Sequence, residues 1–153
     1  MTYRTIGVLA LLFLISPLSF AEESKPAWWD AVEIQIVRKS GSGAQYEDVF
    51  NSLLTPAYAA SGETRELLLK KSIKAFTQLI DWFPGKDNAA VTAASQYQIA
   101  EAYRQLHDAG GARRSYEKCL DYRQYAADPP QNEADIEILA TVEQAQKDLT
   151  RPV

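Results

Sequence analysis

Residues 93–122, AASQYQIAEAYRQLHDAGGARRSYEKCLDY, read at helical spacing as two amphipathic helices joined by a sharp turn. Ile99, Ala100, Tyr103 and Leu106 fall on one face of the first, and Ala112, Tyr116, Cys119 and Leu120 on one face of the second. Asp108, just before Ala109-Gly110-Gly111, is placed to cap the second helix, and the glycines let the two backbones approach. Shifting the second helix back by 40 residues lands on SIKAFTQLIDW, residues 72–82. Ser72 then pairs with Ala112, Lys74 with Arg114, Phe76 with Tyr116, Ile80 with Leu120 and Trp82 with Tyr122. Small matches small, basic matches basic and aromatic matches aromatic. An internal repeat of this length points to a helical solenoid, in which each hairpin needs a neighbour to bury its open face.

The stretch resembles a tetratricopeptide repeat (TPR). Ala100 stands at the small position of the first helix and Tyr103 one turn on, with Ala112, Tyr116 and Cys119 at the small, aromatic and small positions of the second. The earlier copy carries Ser72, Phe76 and Leu79 and closes at Pro84. The FPGKDNAAVTAASQYQIAEAY junction is similar to the longer-spaced repeats of bacterial envelope proteins of the TolA-binding and outer-membrane-assembly types. The resemblance covers residues 63–150, with one well-formed repeat at about 89–125. Gln96, Ala109 and Gln124 depart from it, standing where an aromatic, an aromatic and a closing proline are usual. It implies an all-α fold, a short solenoid of helical hairpins ended by a capping helix, and a groove that binds a peptide segment.

Composition fits this picture. With 153 residues, 46% of them hydrophobic, the chain suits one globular helical domain rather than two. The net charge is −4, and removing residues 1–21, whose only charge is Arg4, makes it about −5. Such mild acidity offers no electrostatic footprint for nucleic acid or an anionic membrane.

Residues 1–21 read as a cleaved signal peptide. Arg4 supplies the positive start, residues 6–15 an apolar run too short to span a membrane comfortably, and Ser19-Phe20-Ala21 a small-residue cleavage site. No cysteine follows that site, so lipid attachment there is not expected, nor is a membrane span in the mature chain. With the family resemblance, the expected location is the periplasm. A lone cysteine forms no internal disulfide, and Cys119, on an apolar helix face, reads as a buried structural thiol.

The mature chain divides into residues 22–43, a polar spacer with a tryptophan-bearing helix, and residues 44–153, the helical domain. In the first part Trp28, Val32 and Ile36 share a helical face, although Val32, Ile34 and Ile36 also alternate as in a strand. A helix ending before Ser40-Gly41-Ser42-Gly43 is the expectation. Trp28 and Trp29 are either a packing plug on the open end of the solenoid or an aromatic anchor for a partner or glycan. Tyr46, Val49, Phe50, Leu53 and Leu54 then form a helical stripe that Thr55-Pro56 is expected to interrupt. Ser61 or Thr64 starts a long helix to about Phe83, and Asp87 or Asn88 caps the next. After Asp128-Pro129-Pro130, Asn132 caps a last helix with an inward stripe of Leu139, Val142, Ala145 and Leu149.

Residues able to carry catalysis are scarce. The one histidine, His107, falls in the turn between the repeat helices, and Gly41-Ser42-Gly43 lacks the lysine of a phosphate loop. Carboxylates are scattered at helix-surface spacing. The chain therefore reads as a non-enzyme without cofactor or metal. The TPR resemblance places Ala94, Tyr97, Glu101, Arg104 and Gln105 on the groove face, where Arg104 would grip a carboxylate or carbonyl and Tyr97 would pack on an apolar side chain. The expected partner is an envelope protein or peptide segment. A groove so short binds weakly unless the protein forms a homo-oligomer or the partner docks elsewhere as well. Two other readings stay open: an assembly subunit packing through its Trp28/Trp29 end or its last helix, and a peptidoglycan- or carbohydrate-binding module.

Overall fold

The structure is a computed structural model and describes residues 25–152. The signal-peptide reading of residues 1–21 lies outside the described residues. The architecture is all-helical: α1 (Ser42–Val49), a π-helical stretch (Phe50–Leu54), α2 (Thr55–Ala59), α3 (Gly62–Trp82), α4 (Ala89–Gln105), α5 (Ala109–Asp121) and α6 (Glu133–Asp148). Short 3₁₀ turns at Lys86–Asn88 and Tyr122–Tyr125 connect them.

α4 is the axis of the bundle, packed on α3, α5, α6 and α1. Its sequence explains how so many neighbours fit. Ala89, Ala93, Ala100 and Ala102 are buried and bring the neighbouring helices close. The buried hydroxyls of Thr92 and Ser95 are satisfied by the carbonyls of Asn88 and Val91 one turn back, at 3.1 and 2.9 Å. On α3, Leu69, Ile73, Phe76 and Leu79 recur at helical spacing and fill the core against α4. Positions related by the 40-residue shift take matching places: Phe76 is 0% exposed and Tyr116 2%, while Ser72 and Ala112 are both buried.

The helix ends follow the expected chemistry in part. Asp108 caps α5, its carboxylate accepting from the Gly111 amide at 2.8 Å, and Asn132 caps α6 by accepting from the Asp135 amide at 2.9 Å. Gly85 takes φ +97° where α3 hands over to α4, a conformation open to glycine. Asn88 sits at the N-cap of α4, but its side chain makes no capping bond there. Its Oδ1 accepts from the Ser42 hydroxyl at 2.8 Å and ties α1 to the α3–α4 junction.

Three expectations are corrected. No helix forms around the tryptophans: residues 27–31 make turns, and residues 32–39 pass over the helices as a strap with neither helix nor strand. The strand that the alternation of Val32, Ile34 and Ile36 with Glu33 and Gln35 also allowed does not form, although the three apolar residues are more buried than the two polar ones. Thr55-Pro56 does not break its helix either. The π-helical stretch ahead of it shifts the hydrogen-bond ladder, and Pro56 sits in the first turn of α2, where no donor is needed. On α6 the buried stripe is Asp135, Ile138, Val142, Ala145 and Asp148, so Ile138 rather than Leu139 is central. Ile138 and Val142 pack on Ala89, with Tyr122 and Tyr125 beside them, while Ile136 stays 58% exposed.

Candidate functional site

The sequence nominated one face of α4, and the structure brings Tyr97, Glu101 and Arg104 into a single polar cluster. Tyr116 of α5 donates its hydroxyl to Glu101 Oε1, and Tyr97 donates its own to Asp148 at the end of α6. Arg104 donates to Glu101 Oε2 at 2.8 Å. Arg151 bridges both carboxylates, 2.7 Å from Glu101 and 3.5 Å from Asp148. Gln144 adds a bond to Asp148 at 3.2 Å, and the Tyr97 and Tyr116 rings tilt together with centroids 5.8 Å apart. Gln105 lies apart from the cluster and accepts from Arg65 of α3 at 2.8 Å. Ala94 is half-buried and takes no part in it.

The electrostatics fit mutual neutralisation. Burial works to raise the Glu101 carboxyl, but the hydrogen bonds from Arg104 and Tyr116 outweigh it and hold the group below its ordinary value. Burial, with the bond to Glu101, pushes the Tyr116 phenol up to about 12. Tyr97 is driven well above the ordinary tyrosine range, first by burial and then by its bond to Asp148. Two carboxylates face two guanidinium groups, and both phenols stay protonated at neutral pH. The cluster therefore joins α4, α5 and α6. Asp148 and Arg151 escaped the sequence reading because they lie about 50 residues from their partners. No local pattern marks such a pairing.

A second feature lies on the other side of α4. Between α3 and α5, above Gln96, Ile99 and Tyr103 of α4, opens a cleft of about 510 Å³. The N-terminal strap closes one wall with Lys25, Pro26 and Trp29, while Thr77, Ile80 and Asp81 contribute from α3 and Arg114, Ser115 and Lys118 from α5. Its size lies within the range of ligand pockets, and its lining mixes apolar, aromatic and polar side chains. Three cationic residues and one carboxylate line it.

The tryptophans are half-buried. Trp28 tilts against Tyr103 with centroids 6.5 Å apart and against Trp29 at 5.7 Å. Lys70 lies over the Trp28 ring, and Lys25 and Lys74 lie 6.0 and 5.3 Å from the centre of the Trp29 ring. Lys74 also donates to the carbonyls of Trp29 and Val32, which brings the strap down onto α3. Both rings pack against the core, and Trp29 has one side on the cleft.

Cys119 is 0% exposed, and burial pushes its thiol up to about 12. His107 is exposed at φ +58° in the α4–α5 turn. Among the described residues no cluster of histidine, cysteine and carboxylate side chains has the makings of a metal site, and no helix is long and apolar enough to cross a membrane. Compared with protein-family models, with curated proteins and with solved structures, the chain matches none.

Proposed function

We propose that this protein is a non-catalytic, TPR-like interaction module of the bacterial cell envelope, exported to the periplasm, that seats a segment of a partner protein in the cleft between α3 and α5. The observation that carries this reading is the cleft itself, with Gln96, Ile99 and Tyr103 of α4 as its floor, an aromatic wall at Trp29 and cations on its rim. The α4 face nominated from sequence supports it by contrast. Tyr97 is bonded to Asp148 of α6, Glu101 to Tyr116 of α5 and to Arg151, and Arg104 to Glu101, so a ligand at the first two would have to displace these bonds, although the buried Arg104 Nε has no partner among the described residues.

Position-specific photo-crosslinking in the native envelope tests this. A crosslinker replacing Arg114, on the cleft rim, should capture a partner that a crosslinker replacing Gln144, on exposed α6, does not. Trp29→Ala should abolish the capture with helicity unchanged by circular dichroism. Capture from Gln144 but not from Arg114 would move the interaction to the end of the solenoid. If a folded Tyr97→Ala, Arg104→Ala variant lost the partner while Trp29→Ala kept it, the α4 face would be the site. Quenching of tryptophan fluorescence by peptidoglycan fragments, with no protein captured, would replace the reading by a glycan-binding one.

A further inference from the structure

The cleft beneath Trp29 does not end at Gln96. A second cleft of about 380 Å³ shares Ile80, Gln96 and Lys118 with it and continues between α3 and α5 to Phe83, Tyr122 and Tyr125. The two form one groove over α4. Between Gly111, on the first cleft, and Asp121, on the second, α5 advances about 15 Å, the reach of about five residues of extended chain.

Three features of the lining say what the groove takes. Gln96 is only 7% exposed, yet it lines both clefts where they meet, and its carboxamide has no hydrogen-bond partner among the described residues. A buried carboxamide without a partner is costly, and its donor and acceptor together are the complement of a peptide group. The strap end of the groove is positive. Lys25 stands on the strap wall and Arg114 on the α5 wall, and among the described residues neither pairs with a carboxylate. Lys118 adds a further cation one turn along α5 from Arg114, against the single carboxylate of Asp81. The far end is aromatic: Phe83 lines it with Tyr122 and Tyr125, whose rings lie 5.9 Å apart.

We infer, resting on the interaction-module reading above, that this groove takes an extended acidic segment of a partner polypeptide. Two acidic side chains lie toward the strap, on Lys25 and Arg114, and an apolar side chain lies toward Tyr122 and Tyr125. Between them a peptide group of the segment pairs with Gln96 and relieves its unmet hydrogen bonds. The acid groups belong to side chains because the cations stand on different walls, and a terminal carboxylate brings one charge only. A nucleic-acid strand fits the lining less well, since Asp81 and Asp121 would face its phosphates.

Selection from a phage-displayed library of random heptapeptides on the purified protein, followed by titration of the synthesised enriched peptides, tests the inference. Enriched peptides should carry two Asp or Glu residues beside an apolar one, and changing the acids to Asn and Gln should weaken binding about tenfold. Gln96→Met keeps the length of the side chain and removes its polar atoms. It should weaken binding about tenfold with helical circular dichroism unchanged. Arg114→Gln should weaken binding too, and should flatten its dependence on salt. A photo-crosslinker replacing Thr77, on the α3 wall, should capture the peptides. Capture there of peptides without acidic residues would overturn the acidic assignment and leave the cleft reading standing. Capture from Gln144 on α6 but not from Thr77 would overturn both. Equal affinity for the Gln96→Met variant, or a selection with no enrichment, would overturn the inference, as would two other occupants. A mass that rises with protein concentration and falls on Arg114→Gln would mark a second copy. Enrichment obtained only with the Glu22→Gln, Glu23→Gln variant would mark the chain's own acidic residues ahead of Lys25.

Discussion

The α4–α5 hairpin and the N-terminal strap are held to the same bundle by different forces. The hairpin is locked by shape. Gly111 lies so close to α4 that an added Cβ would meet the Tyr103 ring at 2.6 Å, and Ala112, Tyr116 and Cys119 are buried behind it. The strap has few buried side chains and is held by side chains of the helices gripping its backbone, chiefly Lys74. Packing of the first kind tolerates little change and leaves no unused backbone groups. Fastening of the second kind leaves clefts open, which is why two clefts border the strap.

That contrast can be broken at graded points. The largest loss should come from Phe76→Ala, which empties a fully buried core position on α3; about 3–5 kcal/mol of stability is expected in urea unfolding. Gly111→Ala comes next, at about 1–3 kcal/mol, because its methyl must displace the Tyr103 ring or the Asp108 cap, 2.8 Å away. A neutral or stabilising result would show that the hairpin is looser than its contacts imply. Lys74→Met should cost about 1–2 kcal/mol or less, with its effect confined to the strap. Amide exchange in residues 32–39 should accelerate while the helical unfolding midpoint barely moves, and a large midpoint shift would mean that the strap belongs to the cooperative core.

The smallest effect is expected from pH. The Glu101 carboxyl is held below its ordinary value of 4.5, so its contribution is complete above that pH and fades as pH falls through the lower folded value. Tyr116 works at the other limit. Its contribution is complete below pH 10 and disappears as pH rises through about 12. Glu101→Gln should flatten the acid arm of a stability–pH profile, by about 1 kcal/mol or less.

The hairpin was legible in the sequence because its signals are local. The apolar period of α4 and α5, the Asp108 cap and the paired glycines all act within a few residues. The strap was misread because residues 28–36 satisfy two periods at once, and the choice between them rests with Lys74 and Gln45, residues far along the chain. The same reason hid half of the polar cluster. Tyr97 and Glu101 could be placed on a face from spacing alone, whereas Asp148 and Arg151 are brought there only by the packing of α6 on α4. The cleft beneath Trp29 was invisible in the same way, since its walls come from the strap, α3 and α5 together.

The distribution of tryptophan gives these two regions separate optical signals. All three tryptophans lie on the strap or at its point of attachment: Trp28 and Trp29 within it, and Trp82 where Arg38 is bonded. Intrinsic fluorescence therefore reports chiefly on the strap, while far-ultraviolet circular dichroism reports on the helices. Measured on one sample without labels, the two signals would follow release of the strap and melting of the bundle as separate events, and any lag between the curves would give the strap's independence directly.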